Sequence, residues 1–292
     1  MSWRTLVITK RCKLDLKLGY LVIRSDEGTK RVHIDEISTL VIENTAISIT
    51  GCLICELASK KVKVIFCDNK RNPCSELMNY YGSHDCSRKL EKQIKWNDYI
   101  KQTVWSEIVT EKIKKQSKFL KELEKFDEAL LLDEYTTQIE LSDVTNREGH
   151  AAKVYFNAIF GMDFTRSADN SINAGLNYGY SILLSAFNRE IVANGYLTQL
   201  GIFHNNMFNQ FNLSSDLMEP FRILVDRVVK YNNFNVFEKD QRLMLIDILN
   251  DTVIIDGKEQ FVSNAIKIYC HSIFEAIEDK DISLIKFYNY EL

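Results

Sequence analysis

The segment NAGLNYGYSILLSAFNREIV, residues 173–192, reads as one long helix, the middle of a helical span predicted over 170–194. Gly175 and Gly179 lie four apart on it, so they share a helix face where a neighbouring helix can come close. Two prolines and eleven glycines in 292 residues leave little room for a fold built on many tight turns, and long helices are favoured. Downstream, helices are predicted at 217–229, 241–250 and 260–279, with an Asp256-Gly257 turn breaking the last pair. Upstream, 147–160 is helical. From Arg88 onward, Ile94, Ile100, Val104, Trp105 and Ile108 fall on one face of a helix that also carries basic residues.

Before about residue 68 the period changes to two. Leu14, Leu16 and Leu18 alternate with Lys13, Asp15 and Lys17, as a half-buried strand requires. Strands at 20–24 and 31–34 flank SDEGT, whose Glu27-Gly28 pair suits a hairpin turn, and 37–42 and 62–67 read as two more. Between them ITGCLICELASK, residues 49–60, fits a short helix with Ser48 as its N-cap. Pro73 and the loop-like NYYGSHDCS then mark a change of organisation. The expectation is an α+β chain: a small β-rich domain with one short helix over residues 1–80, then a larger all-α domain over 87–292. No internal repeat or low-complexity tract interrupts it.

Hydrophobic residues at 46% and charged residues at 26% are ordinary for a soluble globular protein. The start of the chain has no apolar run suited to a secretory signal, and no uncharged apolar stretch suggests a membrane span. Seven cysteines in a chain of this size are expected to be reduced thiols in a cytoplasm, and Cys52 and Cys55, three apart in an apolar helix pattern, are expected to pack inside. No phosphate-binding glycine loop and no nucleophile elbow is present, which argues against P-loop nucleotide hydrolysis and serine hydrolysis. The net charge of −3 does not advertise a nucleic-acid binder. Residues 88–125 nevertheless hold eleven Lys/Arg against six Asp/Glu. Within them Lys112, Lys114, Lys115 and Lys118 are candidates for contact with a DNA backbone, the alternative being a solvated helix face.

Three residues in distinctive frames carry the chemistry: Glu148 in NREGHAAKVYF, His204 in LGIFHNNMFNQFNL and Glu219 in SSDLMEPFR. Two carboxylates and an imidazole suit a hard divalent cation such as Mg²⁺ or Mn²⁺. Each also has a plainer reading. Thr145 to Glu148 and Asp216 to Glu219 both have capping-box spacing, Pro220 suits a helix's first turn, and a lone histidine is usually just hydrogen-bonded. Asp216 could cap a helix or reach a metal through water, and is placed behind the direct ligands. Arg147 and Arg222 could clamp a phosphodiester or simply orient a carboxylate. Asn177, Tyr178 and Tyr180 could touch metal, DNA or core.

With VHIDEISTLVIENTAISIT at 32–50 and DLMEPFRILVD at 216–226, these stretches resemble the CRISPR-associated integrase family, most closely its type II branch. The resemblance implies a small N-terminal β domain that pairs with its symmetry mate and a helical catalytic domain in which Glu148, His204 and Glu219 hold the metal. It also implies a reaction, attack of a 3′-hydroxyl of a short duplex on a phosphodiester at the edge of a CRISPR repeat. The implied partners are double-stranded DNA, a second copy of the chain, and a small ferredoxin-like subunit bridging two dimers. Type II systems add a guide-dependent nuclease and a ring-shaped accessory protein. Two rivals stand beside this reading: a non-catalytic DNA-binding scaffold and a metal-dependent nuclease for branched DNA.

Overall fold

A computed structural model describes residues 4–79 and 83–290; the expected first-domain limit at residue 80 falls outside them. The N-terminal part runs β1 (Arg4–Ile8), β2 (Cys12–Lys17), β3 (Tyr20–Ser25), β4 (Gly28–His33), β5 (Ile37–Ile42), β6 (Ile47–Ile49), α1 (Gly51–Ser59), β7 (Lys63–Cys67) and β8 (Pro73–Leu77). These form two four-stranded sheets, ordered β1-β5-β7-β8 and β4-β3-β2-β6. In the first, β1, β5 and β7 are parallel and β8 antiparallel. In the second, β2, β3 and β4 form antiparallel hairpins and β6 lies parallel to β2.

The alternation read over 14–18 ends one residue early. Leu18 has φ 51 and is exposed in the β2–β3 turn, where a side chain gains nothing by pairing. Thr50, not Ser48, caps α1, because Ser48 is spent in β6 opposite Lys13. The helix buries Leu53 and Leu57, one turn apart, and this leaves Cys52 and Cys55 exposed as free thiols rather than packed inside. Strand β5, ISTLVI, is buried along its whole length. Leu40 and Ile42 enter a small core with Leu14, Leu21, Leu53 and Leu57, whereas Val41 joins Ile65 and Cys67 in the core of the helical part. A strand covered on both faces reads as a nearly continuous apolar run, and the buried Ser38 hydroxyl donates to the Arg4 carbonyl.

The remainder comprises α2 (Cys86–Ile94), α3 (Asp98–Glu122), α4 (Phe126–Thr137), α5 (Arg147–Phe160), α6 (Ser171–Ala193), α7 (Asn212–Leu217), α8 (Arg222–Tyr231), α9 (Lys239–Asp247), the hairpin β9 (Thr252–Ile255) and β10 (Lys258–Phe261), and α10 (Val262–Asp279). The single basic helix expected from Arg88 is two. Asn97 caps α3, accepting from the Tyr99 amide at 2.9 Å, and Ile94 ends α2 exposed. Asp256 and Gly257 both have positive φ, the twist a two-residue hairpin needs, so a short hairpin sits in the part expected to be all-α and delays the last helix to Val262. Helices α3 and α6 run through the main core. A Cβ on Gly175 would lie 2.6 Å from Phe234 and one on Gly179 2.5 Å from Val225, so both glycines serve close packing.

A polar seam ties the β1-β5-β7-β8 sheet to the helices. Glu43, just after β5, accepts from Arg242 at 3.0 Å and from the Tyr178 hydroxyl at 3.2 Å. Glu76 pairs with Lys63 and accepts from Ser185 at 2.8 Å and Asn188 at 3.1 Å. No helix among the described residues is long and apolar enough to cross a membrane.

Candidate active site

Before α5 the chain turns sharply, with Ser142, Asp143 and Asn146 at positive φ. The Asp143 carboxylate accepts from the amides of Arg147 at 2.8 Å and Glu148 at 2.9 Å, and the Asn146 side chain accepts from Gly149 at 3.3 Å. The orphan amides of the first turn are therefore satisfied without Thr145 or Glu148, and the capping-box reading of Glu148 falls. Its carboxylate is free to reach across to α3, where Oε1 meets Lys112 Nζ at 2.5 Å.

Glu219 lies in a 3₁₀ turn, Glu219–Phe221, between α7 and α8, and is only 3% exposed. Its Oε2 meets the same Lys112 Nζ at 2.5 Å, and its Oε1 accepts from Arg222 Nε at 2.9 Å. It caps nothing either. Two 2.5 Å contacts to one nitrogen keep these oxygens of Glu148 and Glu219 within about 5 Å of each other. Burial alone would push the Glu219 carboxyl up, but Arg222 and Lys112 outweigh it and hold it well below the usual carboxylate range. Burial likewise opposes the Lys112 charge, and the two glutamates outweigh it and hold that charge on.

Asp216 is fully buried and organises the His204 loop. Its oxygens accept from the amides of Ile202 at 2.6 Å, Phe203 at 3.0 Å and His204 at 3.0 Å, and meet His204 Nδ1 at 2.5 Å. A carboxylate so engaged has little capacity left for a metal, so it stands behind the imidazole. The hydrogen bond that His204 Nδ1 donates to Asp216 is the main reason the His204 pKa is raised, with burial opposing it. Nδ1 is committed; Nε2 carries no hydrogen bond among the described residues. Gly201 makes the loop possible, since a Cβ there would collide with the His204 carbonyl and sit 2.7 Å from Asp216.

Lys112, Glu148, His204, Glu219 and Arg222 line one cavity of about 280 Å³, together with Arg166, Tyr180 and Asp226. Tyr180, whose role the sequence left open, faces this cavity, whereas Arg166 and Asp226 were not legible as site residues. Arg166 donates to Asn177 at 2.7 Å and lies over the Tyr180 ring, where Arg222 lies too. Asp226 accepts from Tyr180 at 2.5 Å and Tyr155 at 3.0 Å, and burial raises its carboxyl to about 6. It falls one helical turn after Arg222, the spacing that could have revealed it.

Other expectations need correcting. Arg147 stacks over Tyr135 at 5.4 Å and does not line the cavity, so it stands apart from Glu148 and Glu219. Lys112 is 11% exposed and belongs to the site. Lys115 is buried against Glu111 and the Tyr288 ring, and Lys118 donates to the Tyr290 carbonyl at 2.6 Å. Of the four lysines only Lys114 is exposed, so the quartet does not form one solvent-facing stripe. Tyr178 belongs to the seam.

The donor set fits a divalent cation. Two carboxylates from different elements already converge on one positive charge, and an imidazole with a free second nitrogen lines the same cavity. Among the described residues no three His, Cys, Asp or Glu side chains yet converge as a metal cage.

The family model "CRISPR associated protein Cas1" matches residues 5–241, which include every residue named at this site except those of the C-terminal segment. A "CRISPR-associated endonuclease Cas1" of Neisseria meningitidis serogroup C (strain 8013) is 34% identical over 229 residues, 78% of this chain and 75% of that protein. In fold the chain is similar to a Cas1 protein from Thermotoga maritima, with TM-score 0.76 at 17% identity over 94% of this chain and 97% of that one. It is also similar in fold to a casposase bound to integration product, with TM-score 0.75 at 19% identity over 96% and 91%. The match along most of its length places the chain in the Cas1 family of CRISPR-associated proteins.

Proposed function

We propose that this chain is the integrase subunit of CRISPR adaptation and that Glu148, His204 and Glu219 hold its divalent cation, Mg²⁺ or Mn²⁺. The observation that carries the site is the convergence of Glu148 and Glu219, from separate elements, on one positive charge in a cavity that His204 also lines. A cation bound there supplies Lewis acidity to a phosphodiester and favours loss of the proton from an attacking hydroxyl. Asp216 holds the imidazole through Nδ1 and so keeps Nε2 as the donor. Arg222 and Arg166 present guanidinium groups to the cavity, suited to the phosphate oxygens and to the charge that develops as the bond to the attacking 3′-oxygen forms and the bond to the departing 3′-oxygen breaks.

The substrates are then a short spacer duplex and a CRISPR repeat. The chain acts as a homodimer through its N-terminal β domain, with a small ferredoxin-like subunit bridging two dimers. Within the type II branch, the guide-dependent nuclease and a ring-shaped accessory protein complete the set. The test is integration of a short duplex into a supercoiled plasmid bearing a CRISPR array, with purified partner subunit, with and without Mn²⁺. Product should form only with the cation and fall by orders of magnitude in Glu148→Ala, His204→Ala and Glu219→Ala while duplex binding persists. A chain that binds duplex but transfers no strand is a scaffold.

A further inference from the structure

Lys112 occupies the point where the two carboxylates meet. Helix α3 packs against both α5 and the turn at Glu219, and delivers the ammonium to an oxygen of each glutamate at 2.5 Å. The other oxygen of Glu219 is held by Arg222, so Oε2 is the one left for any further cation. An ammonium and a divalent ion sharing it would crowd like charges beside Arg222 on a buried carboxylate, where repulsion is strong. Lysine is suited to yielding, being a compact charge on a flexible stem. The same cavity, lined by Arg166 and Arg222, offers it a second destination wherever a phosphate enters.

We propose that Lys112 is a displaceable placeholder for the divalent cation: it holds Glu148 and Glu219 together, leaves the space between them when the cation binds, and takes a DNA phosphate oxygen as its new partner. This rests on the assignment of Glu148, His204 and Glu219 as ligands. Cation and duplex then favour each other's binding, because the phosphate receives the ammonium that the cation displaces.

The test is Mn²⁺ binding to the full chain, followed by the electron paramagnetic resonance signal of the free ion, with and without a short duplex. Lys112→Gln should bind Mn²⁺ at least about fivefold more tightly than the parent and lose most of the gain that duplex confers. Its melting temperature in a chelator should fall and be restored by Mn²⁺. Lys112→Arg, a bidentate and less yielding cation, should bind Mn²⁺ more weakly than the parent. It carries the test if Lys112→Gln fails to fold without Mn²⁺. Equal or weaker Mn²⁺ binding in Lys112→Gln, or equal or tighter binding in Lys112→Arg, overturns the proposal. Glu219→Gln separates it from the reading beneath. Unchanged Mn²⁺ binding there removes the ligand assignment together with the placeholder. Lost binding there, with no gain in Lys112→Gln, removes the placeholder alone.

Discussion

Glu43 and Glu219 are two buried glutamates, 1% and 3% exposed, each paired to an arginine at about 3 Å, yet they belong to different kinds of place. Glu43 shares its oxygen between Arg242 and a tyrosine in the seam between sheet and helices, with no second carboxylate joining them among the described residues. Glu219 spends both oxygens on cations, one of which also holds Glu148, and it lines a cavity. A sealed pair of balanced charges is architecture. Carboxylates gathered on one cation at a cavity wall are costly to assemble and are therefore informative about function.

The largest expected effect separates the two directly. Glu219→Gln should reduce strand transfer by orders of magnitude while leaving a cooperative melt. Glu43→Gln should do the reverse. It leaves the Arg242 charge buried without its partner, a loss of about 3–5 kcal/mol, with activity per folded molecule retained. Denaturant melts beside integration assays read both. Matching losses of activity and stability in the two variants would erase the distinction.

Next in size is Gly201→Ala, whose Cβ would meet the His204 carbonyl and the Asp216 carboxylate. The loop must open, so Mn²⁺ affinity and strand transfer should fall by about 10–100-fold, with a smaller change in melting than Glu43→Gln gives. Normal Mn²⁺ binding in this variant would detach the His204 loop from the site.

A smaller effect concerns pH. Burial raises the Asp226 carboxyl to about 6 in the folded chain, above its ordinary value, so the folded state holds the proton more tightly than the unfolded one. Its contribution is complete below about pH 4 and is lost as pH rises through about 6, on the order of 3 kcal/mol in all. Asp226→Asn should flatten that part of the stability profile. An unchanged profile between pH 4 and 7 would show the carboxylate ionised throughout. The smallest effect belongs to Lys114→Gln, which should change the salt slope of duplex binding by no more than about 0.9.

The helices with the cleanest periodicity were the legible ones. α5 has the limits expected of it, and α6 differs by one residue at each end. The α2–α3 break was hidden because apolar residues on both sides continue one pattern across it. Local frames singled out Glu148, His204 and Glu219, and the fold brings all three to one cavity. What surrounds them was not legible, because it depends on contacts distant in sequence. Asp143 caps α5 from outside the capping-box window, and Lys118 is taken by Tyr290 near the far end of the chain. A lysine buried between two carboxylates and a lysine on a solvated face look alike in sequence. Only packing distinguishes Lys112 from Lys114.

The most direct measurement is anomalous diffraction at the manganese edge from crystals of the full chain grown with Mn²⁺. The expected result is a single strong peak in the cavity, bonded by Glu148, Glu219 and the Nε2 of His204, and absent from crystals of Glu219→Gln. A peak elsewhere, or a peak that survives the loss of Glu219, would contradict it.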